Sequence, residues 1–148
     1  MEASIGMSEA RQPRHTLRRI GALFAGLLAI VVLSIATDMA LHATGVYPPF
    51  GQPMSDALFL LATAYRIFYG VAGCYIAARL APDRPMHHAL TLGVVGLVVS
   101  IAGVVVTWGR GPEFGPTWYS LAVIAITMPC AWAGGKLRVM QLRARADA

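Results

Sequence analysis

Four apolar runs of about twenty residues, separated by clusters of glycine and proline, constrain this 148-residue chain more than anything else in it. A helix needs about 20 mostly apolar residues to cross the hydrocarbon core of a bilayer. The runs cover 20–43 (IGALFAGLLAIVVLSIATDMALHA), 57–80 (ALFLLATAYRIFYGVAGCYIAARL), 89–108 (ALTLGVVGLVVSIAGVVVTW) and 118–136 (WYSLAVIAITMPCAWAGGK). Gly45, Pro48, Pro49, Gly51 and Pro53 break the chain after the first run. Pro82, Asp83 and Pro85 break it after the second, and Gly109, Gly111, Pro112, Gly115 and Pro116 after the third. The pattern predicts an all-α fold: a four-helix transmembrane bundle with short loops. It forms one domain over 1–148, with a basic N-terminal tail 1–19 and a C-terminal tail 137–148.

Composition removes the alternatives. Only 13% of the residues are charged, about half of the roughly 25% usual in soluble domains, and the mean hydropathy is +0.61. Such a chain is too apolar to stay disordered. A membrane barrel would alternate polar and apolar residues over about ten positions, and nothing here does. Two cysteines without a CxxC or a Cys/His cluster exclude a disulfide scaffold and the standard zinc sites.

Charge sets the expected orientation. Arg11, Arg14, Arg18, Arg19, Arg79, Arg84, Lys136, Arg138, Arg143 and Arg145 fall on one side of a four-span chain. Arg110 alone falls on the other, and Arg66 lies within a span. The positive-inside rule then puts both termini in the cytoplasm of a bacterial inner membrane. The basic pI near 9.8 has the same origin, so it implies contact with lipid phosphates and no nucleic acid. A competing reading takes Arg18, Arg19, the apolar run to Leu33 and Ser34-Ile35-Ala36 as a cleavable signal peptide. The apolar character that resumes beyond Ala36 argues against it.

Lipid tails are as apolar as leucine, so helices in a bilayer associate through close approach of small residues. In the third span Ala89, Gly93, Gly96, Ser100, Gly103 and Thr107 share one face. Gly70, Gly73 and Ala77 line up with Arg66 in the second, and Ala22, Gly26, Ala29, Ala36 and Ala40 in the first. These stripes are the expected bundle seams. Pro129 removes a backbone donor within the fourth span and is expected to bend it. Trp108, Trp118 and Tyr119 read as an interfacial belt.

Arg66 is the residue that most needs an account. An arginine at the centre of a span costs about 2.5–3.5 kcal/mol on the insertion scale, and the eight large apolar residues of its span return roughly 3.6 kcal/mol. A partner is therefore expected. Asp38 lies about 27 Å from the cytoplasmic boundary and Arg66 about 21 Å, at 1.5 Å per residue. A snorkelling arginine covers the difference, which predicts an Asp38–Arg66 ion pair. His42 and Ser34 lie one turn either side of Asp38, and Tyr65 and Tyr69 flank Arg66, so a hydrogen-bonded cluster is expected.

Other candidates read blandly. His87 and His88 sit at the inner end of the third span and His42 near the outer surface, too far apart to share a haem, and His15 lies in the tail. No metal or cofactor site is expected. Cys74 and Cys130 read as small packing residues. Asp56 is placed to cap the second span, and Arg110 and Glu113 to pair weakly in the third loop. No catalytic triad, carboxylate pair, Walker loop or GxGxxG is present.

The segments TDMALHATGVYPPFGQPM, AYRIFYGVAG and APDRPMHHAL have the look of a family signature. In architecture the whole chain resembles the small four-span bacterial inner-membrane proteins to which no activity is attached. The small multidrug transporters share its size and span number. They rely on a carboxylate deep in the first span, whereas Asp38 lies near the outer end. The leading expectation is a non-enzymatic accessory or scaffolding subunit bound to a membrane-protein partner; a homo-oligomer is the other association expected. The alternative is a small oligomeric transporter or proton-coupled carrier using Asp38, His42 and Arg66, and a weaker one is a membrane enzyme acting on a lipid or quinone.

Overall fold

A computed structural model describes residues 12–148, with side chains from Thr16 onward. Of the basic N-terminal residues, Arg11 and the side chains of Arg14 and His15 lie outside the described residues. The described residues are 82% helical, with no strand among them. Helix α1 spans Gln12–Ala43, α2 Asp56–Leu80, α3 Pro85–Thr107 and α4 Thr117–Ala146, with a single 3-10 turn at Pro112–Phe114. All four helices are long and apolar enough to cross a membrane.

The two outermost helices run through stretches that the sequence sets apart as tails. α1 has 32 residues and α4 has 30, so they measure about 48 and 45 Å at 1.5 Å per residue. A bilayer core is about 30 Å thick. Hydropathy falls at these ends, but Arg, Leu, Gln and Met are good helix formers and carry the helix on into the polar region. Pro85 occupies the first turn of α3, where its missing N–H costs nothing. The residue before it, Arg84, has a left-handed φ of 42°. Asp56 is the first residue of α2 and not its cap. Ser55 holds the cap position without a side-chain hydrogen bond, and the Asp56 carboxylate instead accepts from Trp118 Nε1 at 3.0 Å. Arg110 and Glu113 form no ion pair; among the described residues the pairs are Arg19–Asp83 and Asp38–Arg66. α4 continues as helix through Pro129.

The four-residue loop 81–84 makes α2 and α3 antiparallel neighbours. α2 packs on α1 along one side and on α4 along the other, α3 packs on α4, and α3 meets α1 least. The seams hold at the end of the bundle that carries the start of α1, the end of α4 and the 81–84 loop. There a Cβ on Gly26 would stand 2.5 Å from the Gly73 carbonyl oxygen, and one on Gly134 2.6 Å from Val71 O and 2.7 Å from Tyr75 N. A Cβ on Gly93 would stand 2.5 Å from the Ala131 methyl, and one on Gly135 2.7 Å from Met86 Sδ. The core of this end is Cys74, Ala77, Ala78, Ala89, Leu92 and Ala131, with Leu23, Leu27 and Ile30 packed on it. Among the described residues no large side chain is fully buried, and the closest contacts of this end are those of backbone against backbone.

The other end is looser. Every buried residue of α3 lies within its first nine, at His88, Ala89, Leu92 and Gly93. Farther along, Gly96 still approaches Thr127, Ser100 is half-buried, and Gly103 is exposed with open space where a Cβ would stand. The expected six-residue seam therefore ends early: Gly103 packs on nothing among the described residues. Ala36 and Ala40 of α1 are likewise exposed.

Candidate functional site

At the loop end of the bundle the polar residues converge. Asp38 and His42 are one turn apart on α1 and so share a face. After α1, Gly45 takes a φ of 74° and the Tyr47 N–H donates to Leu41 O at 3.0 Å. This fold-back buries Tyr47 to 3% exposure and lays Phe50 flat on His42, ring centroids 4.0 Å apart. The His42 Nδ1 lies 2.8 Å from the Asp38 carbonyl oxygen, an N–H···O contact within its own helix.

Asp38 is the centre. Its Oδ1 accepts from the Tyr65 hydroxyl, and its Oδ2 accepts from Arg66 Nη2 at 3.2 Å. The Tyr47 hydroxyl lies 3.4 Å from that of Tyr65 and 3.4 Å from Leu58 O. The guanidinium stands over the Tyr119 ring of α4, 5.7 Å from its centroid, within the range of a cation–π attraction. Phe59 supports Tyr119 from α2 at 4.8 Å. Tyr69 belongs to a separate contact: its hydroxyl bonds Thr37 at 2.8 Å, although its ring lies beside Tyr65.

The Asp38–Arg66 pair is made at a single point. One N–H bonds one carboxylate oxygen, both side chains are about one-third exposed, and Arg66 Nε is buried with no acceptor. Elsewhere the chain makes the fuller geometry. Arg19 grips Asp83 with two bonds, Nε to Oδ1 at 3.2 Å and Nη2 to Oδ2 at 2.5 Å. That grip holds the exposed Asp83 carboxyl below its ordinary range. A guanidinium carries five donors in a fork that fits a carboxylate two at a time, and a buried donor left unmade costs about 1–3 kcal/mol. Arg66 is therefore not saturated by its partner.

Two cavities meet at this pair. One, of about 350 Å³, lies at the loop end among His42, Tyr47, Phe50, Gln52, Glu113 and Tyr119. The other, of about 360 Å³, lies deeper, walled by all four helices and mostly apolar, with Ser34, Ser100 and Thr127 among its few polar groups. Among the described residues, Asp38 and Arg66 are the only two that line both. The glycines expected to pack also sort by this cavity: Gly70 meets Cys130 beside it, Gly93 and Gly96 form its α3 wall, and Gly73 closes on Ile30 and Gly26 below.

Sequence reasoning did not bring Tyr47, Phe50, Thr37 or Tyr119 into the cluster. Tyr119 stands 53 residues from Arg66 in the chain, and its aromatic character fits a membrane-interface belt equally well. The Tyr47-Pro48-Pro49 turn was visible, but not its fold-back onto α2. Comparison with protein-family models, with curated proteins and with solved structures found no match.

Proposed function

We propose that this chain is a multi-pass protein of a bacterial inner membrane, with both termini in the cytoplasm, and that it acts as a small non-enzymatic carrier. Its route runs past Asp38, His42 and Arg66. The observation that supports this is that the Asp38–Arg66 pair alone borders both cavities. A bond at that position decides whether the deep cavity communicates with the loop end. Its single-point geometry fits a contact that opens, since a permanent clasp gains from the two-bond grip that Arg19 and Asp83 adopt.

Native mass spectrometry of the protein, purified in mild detergent, tests the proposal. A carrier retains a small molecule that Arg66→Gln releases, while Asp38→Asn and Arg66→Gln both keep their membrane abundance. Loss of both variants from the membrane marks the pair as a structural clasp and refutes the carrier. The accessory-subunit reading then leads. It draws on one observation, the outer half of α3, where Val98, Val99, Val105 and Val106 are exposed and nothing among the described residues covers Gly103. It requires a stoichiometric larger partner in the same purification, and a clean homo-oligomer rejects it. Accessibility of single cysteines placed at Leu17 and Gln141 to a membrane-impermeant reagent tests the orientation, and both must be protected in intact cells.

A further inference from the structure

The deep cavity has an opening, and the opening faces lipid. Its most exposed wall residues are Val31 and Ile35 of α1 and Val99 of α3, two helices that make only a slight contact with each other. The residues from α2 and α4 are buried or half-buried. α1 and α3 close on each other lower down, where Leu92 reaches Gly26, and part above it. A molecule reaches this cavity sideways, out of the bilayer. Its volume of about 360 Å³ is at the small end for ligand cavities and suits one hydrocarbon chain.

The polar end of the cavity fixes the head group. Arg66 is its one cation, and of its five donors only one bonds Asp38. A ligand carboxylate that takes the place of the Asp38 carboxylate has the same shape and meets two donors at once. Charge adds a condition. Asp38 and Arg66 together are neutral, and an uncompensated charge within a bilayer is costly. A second carboxylate therefore enters with a proton. The groups that face Asp38 are Tyr65 and Arg66 of α2, Tyr47 of the first loop and Tyr119 of α4, with His42 a turn above and Glu113 across the loop-end cavity. From α3 the cavity receives Ser100 but no titratable group. Asp38 is the group that loses its cation when the ligand arrives, so the proton goes to it. The Tyr65 hydroxyl still bonds Oδ1, and the protonated Oδ2 turns donor toward the newcomer.

We infer that the deep cavity binds a single-chain fatty-acid carboxylate from the bilayer through the opening between α1 and α3, together with one proton on Asp38. This rests on the carrier reading and names its substrate class. The test is calorimetry with dodecanoate on the full-length protein in detergent, in two buffers of different ionisation enthalpy, with empty micelles subtracted. The wild type takes up one proton per ligand, and its Kd rises about tenfold for each pH unit between 6.5 and 8, as one-proton linkage requires. Asp38→Asn binds dodecanoate without proton uptake, and His42→Gln keeps the uptake. Arg66→Gln loses at least tenfold for dodecanoate and nothing for dodecanol. Ser100→Phe, which fills the cavity without touching the pair, loses both ligands.

Equal affinity of the wild type for dodecanoate and dodecanol overturns the inference. So does binding without proton uptake, or a single-chain phosphate that binds more tightly than the carboxylate. If dodecanoate fails while the purified protein holds another molecule that Arg66→Gln releases, the ligand class is wrong and the carrier stands. If nothing is held and both pair variants vanish from the membrane, the carrier itself is wrong.

Discussion

Gly134 and Gly103 are both helical glycines, and adding one methyl to each should have opposite effects. At Gly134 the new Cβ would stand 2.6 Å from Val71 O, 2.7 Å from Tyr75 N and 2.9 Å from Cys74 Cβ. Two of those three are backbone of α2 and cannot rotate aside. A relaxed C–H···O contact needs about 3.3–3.6 Å, so α2 and α4 must separate by roughly 0.7–1.0 Å at this level. Overpacking of that kind costs about 1–3 kcal/mol. At Gly103 the methyl meets nothing within 4 Å, and alanine gains up to about 1 kcal/mol in helix propensity. That propensity gain is shared, because both positions are helical, so it cancels between the variants. Gly134→Ala should therefore be less stable than Gly103→Ala by about 1–3 kcal/mol. Reversible unfolding in mixed micelles, where 1.4 kcal/mol is tenfold in the equilibrium constant, resolves the difference. Equal stability of the two variants would refute the claim that α2 and α4 touch backbone to backbone.

Three further outcomes are expected. Neutralising Asp38 and Arg66 singly and together should give a coupling of about 1–2 kcal/mol, the upper range for polar contacts between membrane helices; a charge-exchanged protein no better than either single variant removes the pairing. Because Arg19 depresses the Asp83 carboxyl, this clasp stabilises the fold above the ordinary carboxylate range near 3.9. The contribution fades as pH falls through the lowered value. Asp83→Asn should abolish that acid-side dependence in thermal unfolding, and an unchanged profile counts against the clasp. Tyr47→Ala should cost about 3–5 kcal/mol as a buried ring is lost. Tyr47→Phe, whose hydroxyl contacts are both 3.4 Å long, should cost under about 0.5 kcal/mol; similar losses for the two would show that the hydroxyl, not the ring, holds the loop.

The four helices were legible because each carries its own signal, an apolar run with breakers at both ends. Counting residues from a common boundary was enough to bring Asp38 and Arg66 to one depth, since rise per residue is a constant of the helix. What the sequence withheld depends on relations between helices. The small-residue stripe of α3 continues unbroken to Gly103 and Thr107, and nothing in it says that the seam ends at Gly96. Gly134 and Gly135, the tightest glycines of α4, sit in no stripe at all. Trp118 and Asp56 bond across 62 residues, and only the packing of α4 on α2 brings them together. The helical ends beyond Ile20 and Lys136 were missed because hydropathy reports on lipid and not on helix formation.

A frame of four rods bolted at one end behaves like tongs. The bolts are the glycine contacts near Leu92 and Ala131, and every length of rod beyond them is a lever. From Gly93 to Thr107, α3 extends about 21 Å at 1.5 Å per residue, so a tilt of about 10° at the bolts carries its tip by about 4 Å. The same tilt moves Leu92 hardly at all. Widening of the gap beside α1 therefore needs no melting of any helix and no sliding of one past another. It asks only for small rotation where the backbones touch, and a methyl group placed there, by prising the helices apart, should loosen the joint on which the levers turn.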